Sequence, residues 1–308
     1  MLYSHIMSKL KVYIELARPF TLIAPFLGFL SGGICSWGAY PKTPFELKYL
    51  FYILTGSIMA ATLNSASNTL NQIFDLEIDR VNKPKRPLPS GRISLKEASL
   101  FSLVLYLISL SLAWFVSPEG RKECFVLVLL AAIMTLIYSC PPFRTKRWGI
   151  GANITIAIPR GILLKVAGWS AVKSIMRLEP WYIGLIFGLF LLGATSTKDF
   201  SDMEGDKRGN CITLPIKYGV KKAAYIISPF FIFPFFLIPI GVKFKILTGN
   251  PLLLTILGIT LSLWGIYVVY LILKKPEELA VDENHVSWKH MYMMMFYAQI
   301  GFALSYIF

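Results

Sequence analysis

Apolar residues recur along this chain in nine long runs that are separated by short polar segments. The runs cover about residues 20–38, 49–72, 97–116, 124–140, 152–172, 180–197, 222–241, 251–273 and 288–308. Most of them approach the ~20 residues that a helix needs to cross the hydrocarbon of a bilayer. Runs of this length exclude barrel strands. The pattern therefore predicts an all-α membrane protein with nine transmembrane helices.

The composition agrees with a membrane protein. Hydrophobic residues make up 55% of the 308 residues and charged residues 16%, whereas soluble domains carry about 25% charged residues. Basic loops beside anionic lipid are a sufficient explanation of the net charge of +14, so we expect no nucleic-acid binding. The four cysteines lack paired spacing and the three histidines form no cluster with them, so neither a disulfide framework nor a zinc site is indicated.

Lys and Arg are distributed unevenly between the two sides of the predicted bundle. The segments on the side of the N-terminus hold 19 of them, and the opposite loops hold 8. Because an excess of Lys and Arg marks cytoplasmic loops, we expect an integral cell-membrane protein whose N-terminus faces the cytoplasm.

Two ladders of polar residues stand at the predicted cytoplasmic ends of the second and sixth runs. The first repeats every four residues and the second follows i, i+3, i+7 spacing, so each is expected on one helix face. The ladder residues are Asn71, Asp75 and Asp79 in the first, and Asp199, Asp202 and Asp206 in the second. Carboxylates this close to a bilayer are costly unless something compensates their charge, so the ladders indicate a functional site.

The two ladders are related by a constant offset. Asp202 follows Asp75 by 202 − 75 = 127 residues, and Asp206 follows Asp79 by 206 − 79 = 127 residues. Four predicted helices separate the ladders, so both halves have the same orientation in the membrane. We therefore expect one domain, residues 1–308, made of tandem four-helix repeats at about 16–145 and 146–275 with an extra helix at 288–308.

The ladders supply oxygen ligands of the kind that hard divalent cations prefer. Carboxylates and a carboxamide favour Mg²⁺, with Mn²⁺ as a second possibility. Mg²⁺ usually binds one or two carboxylates together with phosphate oxygens, and the basic residues around the ladders could clamp a diphosphate. With an apolar interior beyond the ladders, these features predict a prenyl diphosphate, for example geranylgeranyl diphosphate, as substrate.

Other polar residues extend this candidate site. Asn64 and Asn68 continue the first ladder deeper into the membrane and either line a cavity, which we favour, or make interhelical hydrogen bonds. Arg160 and Lys165 lie inside the fifth run, where a cation must face the bundle interior or snorkel. The substrate-binding candidates are Arg18, Asn68, Lys83, Arg86, Arg144, Lys146, Arg160, Lys198 and Lys207. The catalytic candidates are Asp75, Asp202 and Tyr138, whose ring could stabilise a cation.

Three segments resemble signature motifs of the UbiA superfamily of intramembrane prenyltransferases. The first ladder followed by "NKPKRPLPSG" and the segment "KDFSDMEGDKRG" followed by "TLPIKYG" resemble its two acidic motifs. "YSCPPFRTKRWG", residues 138–149, is similar to its connecting segment. The resemblance spans roughly residues 18–219 and implies that a prenyl diphosphate ionises with the help of Mg²⁺ and that the allylic cation alkylates an acceptor.

The acceptor is less well defined by the sequence. We expect an aromatic ring of a quinone precursor, because an electron-rich ring needs no dedicated base. The alternative is a geranylgeranylglyceryl phosphate geranylgeranyltransferase of ether-lipid synthesis. Two further alternatives are a cation-coupled transporter, although transporter repeats are often inverted, and a phosphatidyl-transferring enzyme. The oligomeric state is not indicated.

Overall fold

The chain folds into a bundle of helices, and no strand occurs in residues 2–308, the part that the computed structural model describes. Side chains are described from Lys9 onward. The helices are α1 (Leu2–Ala17), α2 (Ile23–Gly38), α3 (Leu47–Phe74), α4 (Leu76–Asn82), α5 (Leu95–Phe115), α6 (Glu123–Ser139), α7 (Ile150–Ala157), α8 (Leu164–Ser170), α9 (Leu178–Ala194), α10 (Met203–Arg208), α11 (Leu214–Tyr218), α12 (Val220–Ile227), α13 (Phe233–Lys243), α14 (Pro251–Lys274), α15 (Glu278–Val281) and α16 (Val286–Ile307). The all-α prediction is confirmed.

Six helical segments of this described part are long and apolar enough to cross a membrane. They are Pro19–Gly38, Leu95–Phe115, Ile150–Ser170, Leu178–Lys198, Val220–Lys243 and Pro251–Lys274. The predicted count of nine is not confirmed. The other three predicted runs correspond to α6, which has 17 residues, and to α3 and α16, which have 28 and 22 residues. In α3 a stripe of Asn, Gln and Ser side chains interrupts the apolar sequence.

Two apolar clusters hold the bundle together. One packs phenylalanines from α9, α13 and α16 around Phe231, which is fully buried. The other packs α2, α3, α6 and α8 around Phe29, also fully buried. Side chains of both groups of helices line the main cavity of the protein.

The chain breaks between α1 and α2, and polar side chains of α3 bind the backbone at this break. Arg18 adopts a left-handed conformation (φ 59°) and is followed by a 3₁₀ turn at Pro19–Leu22. A proline disfavours the right-handed helical conformation for the residue before it. Asn68 donates to the carbonyl of Ala17 at 3.2 Å and to Oγ1 of Thr21 at 2.8 Å. The polar stripe of α3 therefore satisfies backbone groups that the break leaves unpaired.

Candidate active site

A cavity of about 640 Å³ is lined by all six ladder residues. Apolar side chains farther along the helices, including Pro25, Leu164 and Phe190, form another part of its wall. A smaller apolar pocket of about 60 Å³ lies beside it and shares Pro25, Leu164 and Arg160 with it. The structure therefore combines a polar region with an apolar region in one internal space.

Neither ladder lies on one continuous helix, contrary to the sequence prediction. Asp75 interrupts the helix between α3 and α4 with φ −99° and ψ 14°, and Asp202 stands just before α10 with φ −98° and ψ 6°. These angles lie in the bridge region, where many active-site residues occur. The two residues that are 127 positions apart thus share the same backbone conformation, although the tandem repeat itself stays a prediction.

Close packing of α4 against α10 brings the two ladders together. Nδ2 of Asn82 donates to the carbonyl of Asp202 at 2.9 Å, and the amide of Gly205 donates to Oδ1 of Asn82 at 2.9 Å. A Cβ at Gly205 would lie 2.5 Å from Nδ2 of Asn82, and one at Gly209 would lie 2.4 Å from Cδ1 of Ile78. Only glycine allows this approach.

Asp75 is buried at the centre of a cluster of cations. Nδ2 of Asn71 donates to its Oδ2 at 2.6 Å, and Nη2 of Arg144 lies 3.1 Å from its Oδ1. Lys146 also forms an ion pair with Oδ2 of Asp75, and its Nζ lies 3.9 Å from Oδ1 of Asp206. Lys146 therefore stands between the two ladders.

The remaining ladder acids differ in their partners. Arg86 forms an ion pair with Asp79 at 2.7 Å. Nζ of Lys83 lies 3.1 Å from Oδ1 of Asp202, without hydrogen-bonding geometry, and 2.6 Å from Oε1 of Glu283. The side chain of Asp199 has no ion pair and no hydrogen bond within the described part of the chain.

Burial pushes the carboxyl groups of Asp79, Asp199 and Asp206 towards their neutral form. Burial raises the pKa of Asp206 to about 6, although the charge of Lys146 opposes the shift. Burial also raises the pKa of Asp79 and, helped by the charge of Asp206, that of Asp199. Burial lowers the pKa of Lys146, but the nearby Asp75, Tyr138 and Asp206 raise it above its usual value overall. Cations near the acids are therefore needed to keep them ionised.

The acids as they stand do not form a closed metal cage. Within residues 2–308 no group of three or more His, Cys, Asp or Glu side chains could hold a metal ion by itself. Lysine and arginine side chains occupy the space between the acids. The donors are nevertheless all hard oxygens, and Oδ1 of Asp202 is buried without a hydrogen-bond partner. This set fits Mg²⁺, which binds one or two carboxylates and completes its shell with water and phosphate oxygens.

Most of the substrate-binding candidates reach the cavity. Its lining includes Arg18, Asn68, Lys83, Arg86, Tyr138, Lys146, Arg160 and Lys198. Arg144 is not part of this lining but contacts Asp75. Lys207 is exposed and does not line the cavity, so the site described here does not include it. Asn68 lines the cavity and also makes interhelical hydrogen bonds, so both sequence alternatives hold for it.

Three residues that contribute to the site were not predicted. Asn82 bridges the two ladders, and Glu283, between α14 and α16, pairs with Lys83. Asn153 in α7 lines the cavity and donates to the carbonyl of Leu192 at 3.0 Å, close to the second ladder. Asn82 stands three residues after Asp79 and could have been read as part of the motif. Glu283 is remote in sequence and carries no such signal.

Comparison with known sequences identifies similar proteins. The sequence profile of the UbiA prenyltransferase family matches residues 26–282. A digeranylgeranylglyceryl phosphate synthase of Methanosphaera stadtmanae is 30% identical over 95% of this chain and 98% of its own length. A second one, from Methanocaldococcus jannaschii, is 33% identical over 88% of this chain and 89% of its own length.

Solved structures with a similar fold include proteins of the same kind. A structure described as giving insights into digeranylgeranylglyceryl phosphate synthase in membranes is 29% identical, with a TM-score of 0.69 over 97% of this chain and 99% of its own. A UbiA homologue from Archaeoglobus fulgidus bound to GPP and Mg²⁺ has a TM-score of 0.74 over 96% of this chain and 99% of its own. At 20% identity the second structure shows a shared fold.

Proposed function

Because the chain belongs to the UbiA prenyltransferase family and is a membrane prenyltransferase, we propose that it transfers a geranylgeranyl group to geranylgeranylglyceryl phosphate. The donor in this proposal is geranylgeranyl diphosphate, and the product is digeranylgeranylglyceryl phosphate. One observation supports the choice of donor: residues of both ladders line one cavity whose wall is partly apolar.

The ladder residues are proposed to hold Mg²⁺, with Asp75, Asp79, Asp199, Asp202 and Asp206 as carboxylate ligands and Asn71 through its carboxamide oxygen. A divalent cation bound there would offset the negative charge that grows on the diphosphate as it leaves. The A. fulgidus homologue was bound to Mg²⁺ together with a prenyl diphosphate, which supports this choice. Mn²⁺ has the same preference for oxygen ligands.

The cations that now pair with the acids are proposed to bind the diphosphate. Lys83, Arg86, Arg144 and Lys146 each lie within 3.1 Å of a ladder carboxylate. When the carboxylates turn to a divalent cation, these four side chains become available to phosphate oxygens at little reorganisation cost. Arg144 and Arg86 can each bind two oxygens through the planar guanidinium fork.

The proposed reaction needs charge stabilisation more than a strong base. The bond between the allylic carbon and the diphosphate oxygen breaks, and the diphosphate leaves with the electron pair. The glycerol hydroxyl oxygen forms the new ether bond to that carbon and gives its proton to the diphosphate or to water. Tyr138 is proposed to stabilise the allylic cation through its ring, and its position in the cavity lining supports this role.

The relatives favour a lipid acceptor over the aromatic acceptor that the sequence suggested. Two digeranylgeranylglyceryl phosphate synthases are similar to this chain over at least 88% of its length. Their name supports a role in ether-lipid synthesis and gives no support to quinone synthesis. The family assignment also favours an enzyme over a cation-coupled transporter.

The cytoplasmic N-terminus and the tandem four-helix repeat, both predicted from the sequence, are also part of this proposal. The concentration of Lys and Arg on one side supports a cytoplasmic N-terminus and a cytoplasmic ladder end. The diphosphate end of the donor would then reach the ladders from the cytoplasmic side, and the acceptor lipid would enter from the bilayer.

An acceptor panel tests the proposed function. Purified protein in lipid nanodiscs is incubated with radiolabelled geranylgeranyl diphosphate, Mg²⁺ and one acceptor at a time: geranylgeranylglyceryl phosphate, hydroxybenzoate or dihydroxynaphthoate. We expect radiolabelled diether phosphate with the lipid acceptor only, and no product after chelation of Mg²⁺. Arg80→Gln, a change at an exposed arginine outside the cavity, serves as the matched control. Product from an aromatic acid alone would refute the lipid acceptor.

A further inference from the structure

Two arginines of the cavity have no acidic partner. The side chains of Arg18 and Arg160 both line the cavity, and neither forms an ion pair or a side-chain hydrogen bond within the described part of the chain. Lys83, Arg86, Arg144 and Lys146, by contrast, all pair with ladder acids. An unpaired guanidinium at membrane depth is costly, so this pair of charges calls for an anionic ligand.

The backbone around Arg160 holds it at a defined place in the cavity wall. Arg160 belongs to a π-helical turn at Ile158–Leu163, in which the amide of Leu164 donates to the carbonyl of Pro159. Such turns are rare and occur frequently at functional sites. The turn is pressed against α9, because a Cβ at Gly161 would lie 2.5 Å from Cα of Gly188. The Arg160 side chain is exposed and lines both the main cavity and the smaller apolar pocket beside it.

The second arginine, Arg18, lies at the break before α2. A left-handed backbone at a residue other than glycine or asparagine is strained and tends to persist at functional sites. Arg18 is held in that conformation while Asn64 and Asn68 bind Thr21 and Ala17 on either side of it. The polar stripe of α3 therefore has a further consequence, which is that it holds the backbone from which the Arg18 side chain projects.

The positive charge of Arg160 acts on Arg18. Burial lowers the pKa of Arg18 to about 10, and the nearby positive charges of Arg86 and Arg160 lower it as well. Asp79 and Tyr292 oppose this shift, but Asp79 is already bound by Arg86 at 2.7 Å. Tyr292 also lines the cavity. A phosphomonoester carries up to two negative charges and three oxygens, and guanidinium forks bind such oxygens in pairs.

We propose that Arg160 and Arg18 form a separate subsite that binds the phosphomonoester of the lipid acceptor, while the ladders and their four cations bind the donor diphosphate. This inference rests on the proposed function and adds the residues that choose the acceptor. The subsite holds the glycerol end of the acceptor inside the same cavity as the diphosphate. It selects lipids with a phosphate over the corresponding alcohols.

Ligand binding in nanodiscs tests the subsite without requiring turnover. Dissociation constants are measured for geranylgeranylglyceryl phosphate, for geranylgeranylglycerol, which lacks the phosphate, and for geranylgeranyl diphosphate with Mg²⁺. Arg160→Gln and Arg18→Gln should each bind the phosphate lipid about tenfold to hundredfold more weakly. Affinity for the alcohol and for the diphosphate should change much less. Arg80→Gln is the matched control and should bind all three ligands like the unaltered protein.

Other outcomes separate the alternatives. An equal loss of affinity for the phosphate lipid and for the alcohol would overturn the subsite, because the loss of affinity would not depend on the phosphate. Weakening confined to geranylgeranyl diphosphate would also overturn it and would assign both arginines to the donor clamp. Arg160→Lys keeps the charge without the fork and should lie between the unaltered protein and Arg160→Gln, which guards against a folding defect in the glutamine variant.

Turnover measurements distinguish a failure of the proposed subsite from a failure of the proposed function. In the acceptor assay the KM for geranylgeranylglyceryl phosphate should rise in Arg160→Gln while the KM for the donor stays close to its original value. If the unaltered protein binds the phosphate lipid through these arginines but forms no diether, the proposed function fails and the subsite stands. If diether forms with the same acceptor KM in all variants, the subsite fails and the function stands.

Discussion

At the scale of single residues, the acids of the two ladders differ in what surrounds them. Asp75 is 3% exposed and binds Asn71, Arg144 and Lys146. Asp199 has no such partner within the described residues and its pKa is raised by burial. Two carboxylates that share one proposed role in metal binding are therefore expected to have opposite effects on the stability of the protein.

Asp75→Asn and Asp199→Asn should both abolish Mg²⁺-dependent prenyl transfer but should differ in stability. In the structure, the loss of the Asp75 charge removes the ion pair of Arg144 and leaves Lys146 with only the more distant Asp206, at 3.9 Å, which costs about 3 kcal/mol. Asp199→Asn removes a carboxyl group that has no partner within the described residues and whose pKa is raised by burial, so it should leave the unfolding temperature unchanged or higher. Thermal unfolding in detergent and the transfer assay measure both effects, and a destabilised Asp199→Asn with an unaltered Asp75→Asn would contradict the described contacts.

Binding of Mg²⁺ should depend on pH through Asp206. Its pKa is raised to about 6 by burial, and a proton competes with Mg²⁺ for the same carboxylate. Affinity should therefore be complete well above pH 6 and should fall as the pH drops through that value. Titration calorimetry of the protein without metal should show roughly fourfold weaker binding at about pH 5.5 than at about pH 7.5. Asp206→Asn should remove this contribution, and a flat profile in the unaltered protein would contradict the assignment.

The sequence predicts the role of single residues best where chemistry leaves few options. Lys165 has to face the interior or snorkel, and the structure buries it with its Nζ 3.2 Å from the carbonyl of Gly28. Asn68 lines the cavity as expected, and its amide nitrogen also donates to the carbonyl of Ala17 and to Oγ1 of Thr21. That use depends on the break before α2, and a pattern of apolar and polar positions gives no signal for such a break.

At the scale of elements, contact between α4 and α10 decides whether the ladders form one site. Gly205→Ala places a Cβ against Asn82, whose side chain is held by two hydrogen bonds. Because the amide of Asn82 cannot move without losing them, α4 and α10 must separate, and such overpacking typically costs 1–3 kcal/mol, or about 2 kcal/mol here. We expect Mg²⁺-dependent activity to fall about tenfold or more.

A remote glycine controls for general overpacking. Gly258→Ala brings a Cβ to 2.6 Å from Cδ of Pro239 at the contact of α13 with α14, away from the ladders. It should lower the unfolding temperature while leaving the apparent affinity for Mg²⁺ unchanged. The double variant Gly205→Ala with Asn82→Ala should regain part of the stability, since the clash is relieved. Full activity in Gly205→Ala would show that the α4–α10 distance is not critical.

The elements also show why the interruptions within helices were not predicted from the sequence. The spacing of polar residues in α3 resembles a continuous ladder, but the helix ends at Phe74 and restarts at Leu76. A break of one residue does not change the apolar periodicity on either side. The π turn at Ile158–Leu163 was equally invisible, because Pro159 in an apolar run predicts a kink without specifying its form.

At the scale of the whole molecule, the family and the fold class follow from motifs and apolar runs that the sequence displays directly. The cavity lining and the identity of the acceptor cannot be predicted from these features, because they depend on side chains from distant helices. Glu283 pairs with Lys83 across 200 positions, and Arg18 and Arg160 line the same cavity from segments 142 positions apart (160 − 18). Contacts of this kind are decided by the packing of the complete bundle.

The central claim is that both ladders form one metal site that holds a prenyl diphosphate. It is tested most directly by a crystal structure with Mn²⁺ in place of Mg²⁺ and a non-hydrolysable thio-analogue of geranylgeranyl diphosphate, with Mn²⁺ located by anomalous scattering. We expect Mn²⁺ at about 2.1 to 2.3 Å from carboxylate oxygens of both ladders, near Asp75 and Asp202, and coordinated by diphosphate oxygens. Anomalous density outside the cavity, or Mn²⁺ and diphosphate bound by one ladder alone, would contradict the claim.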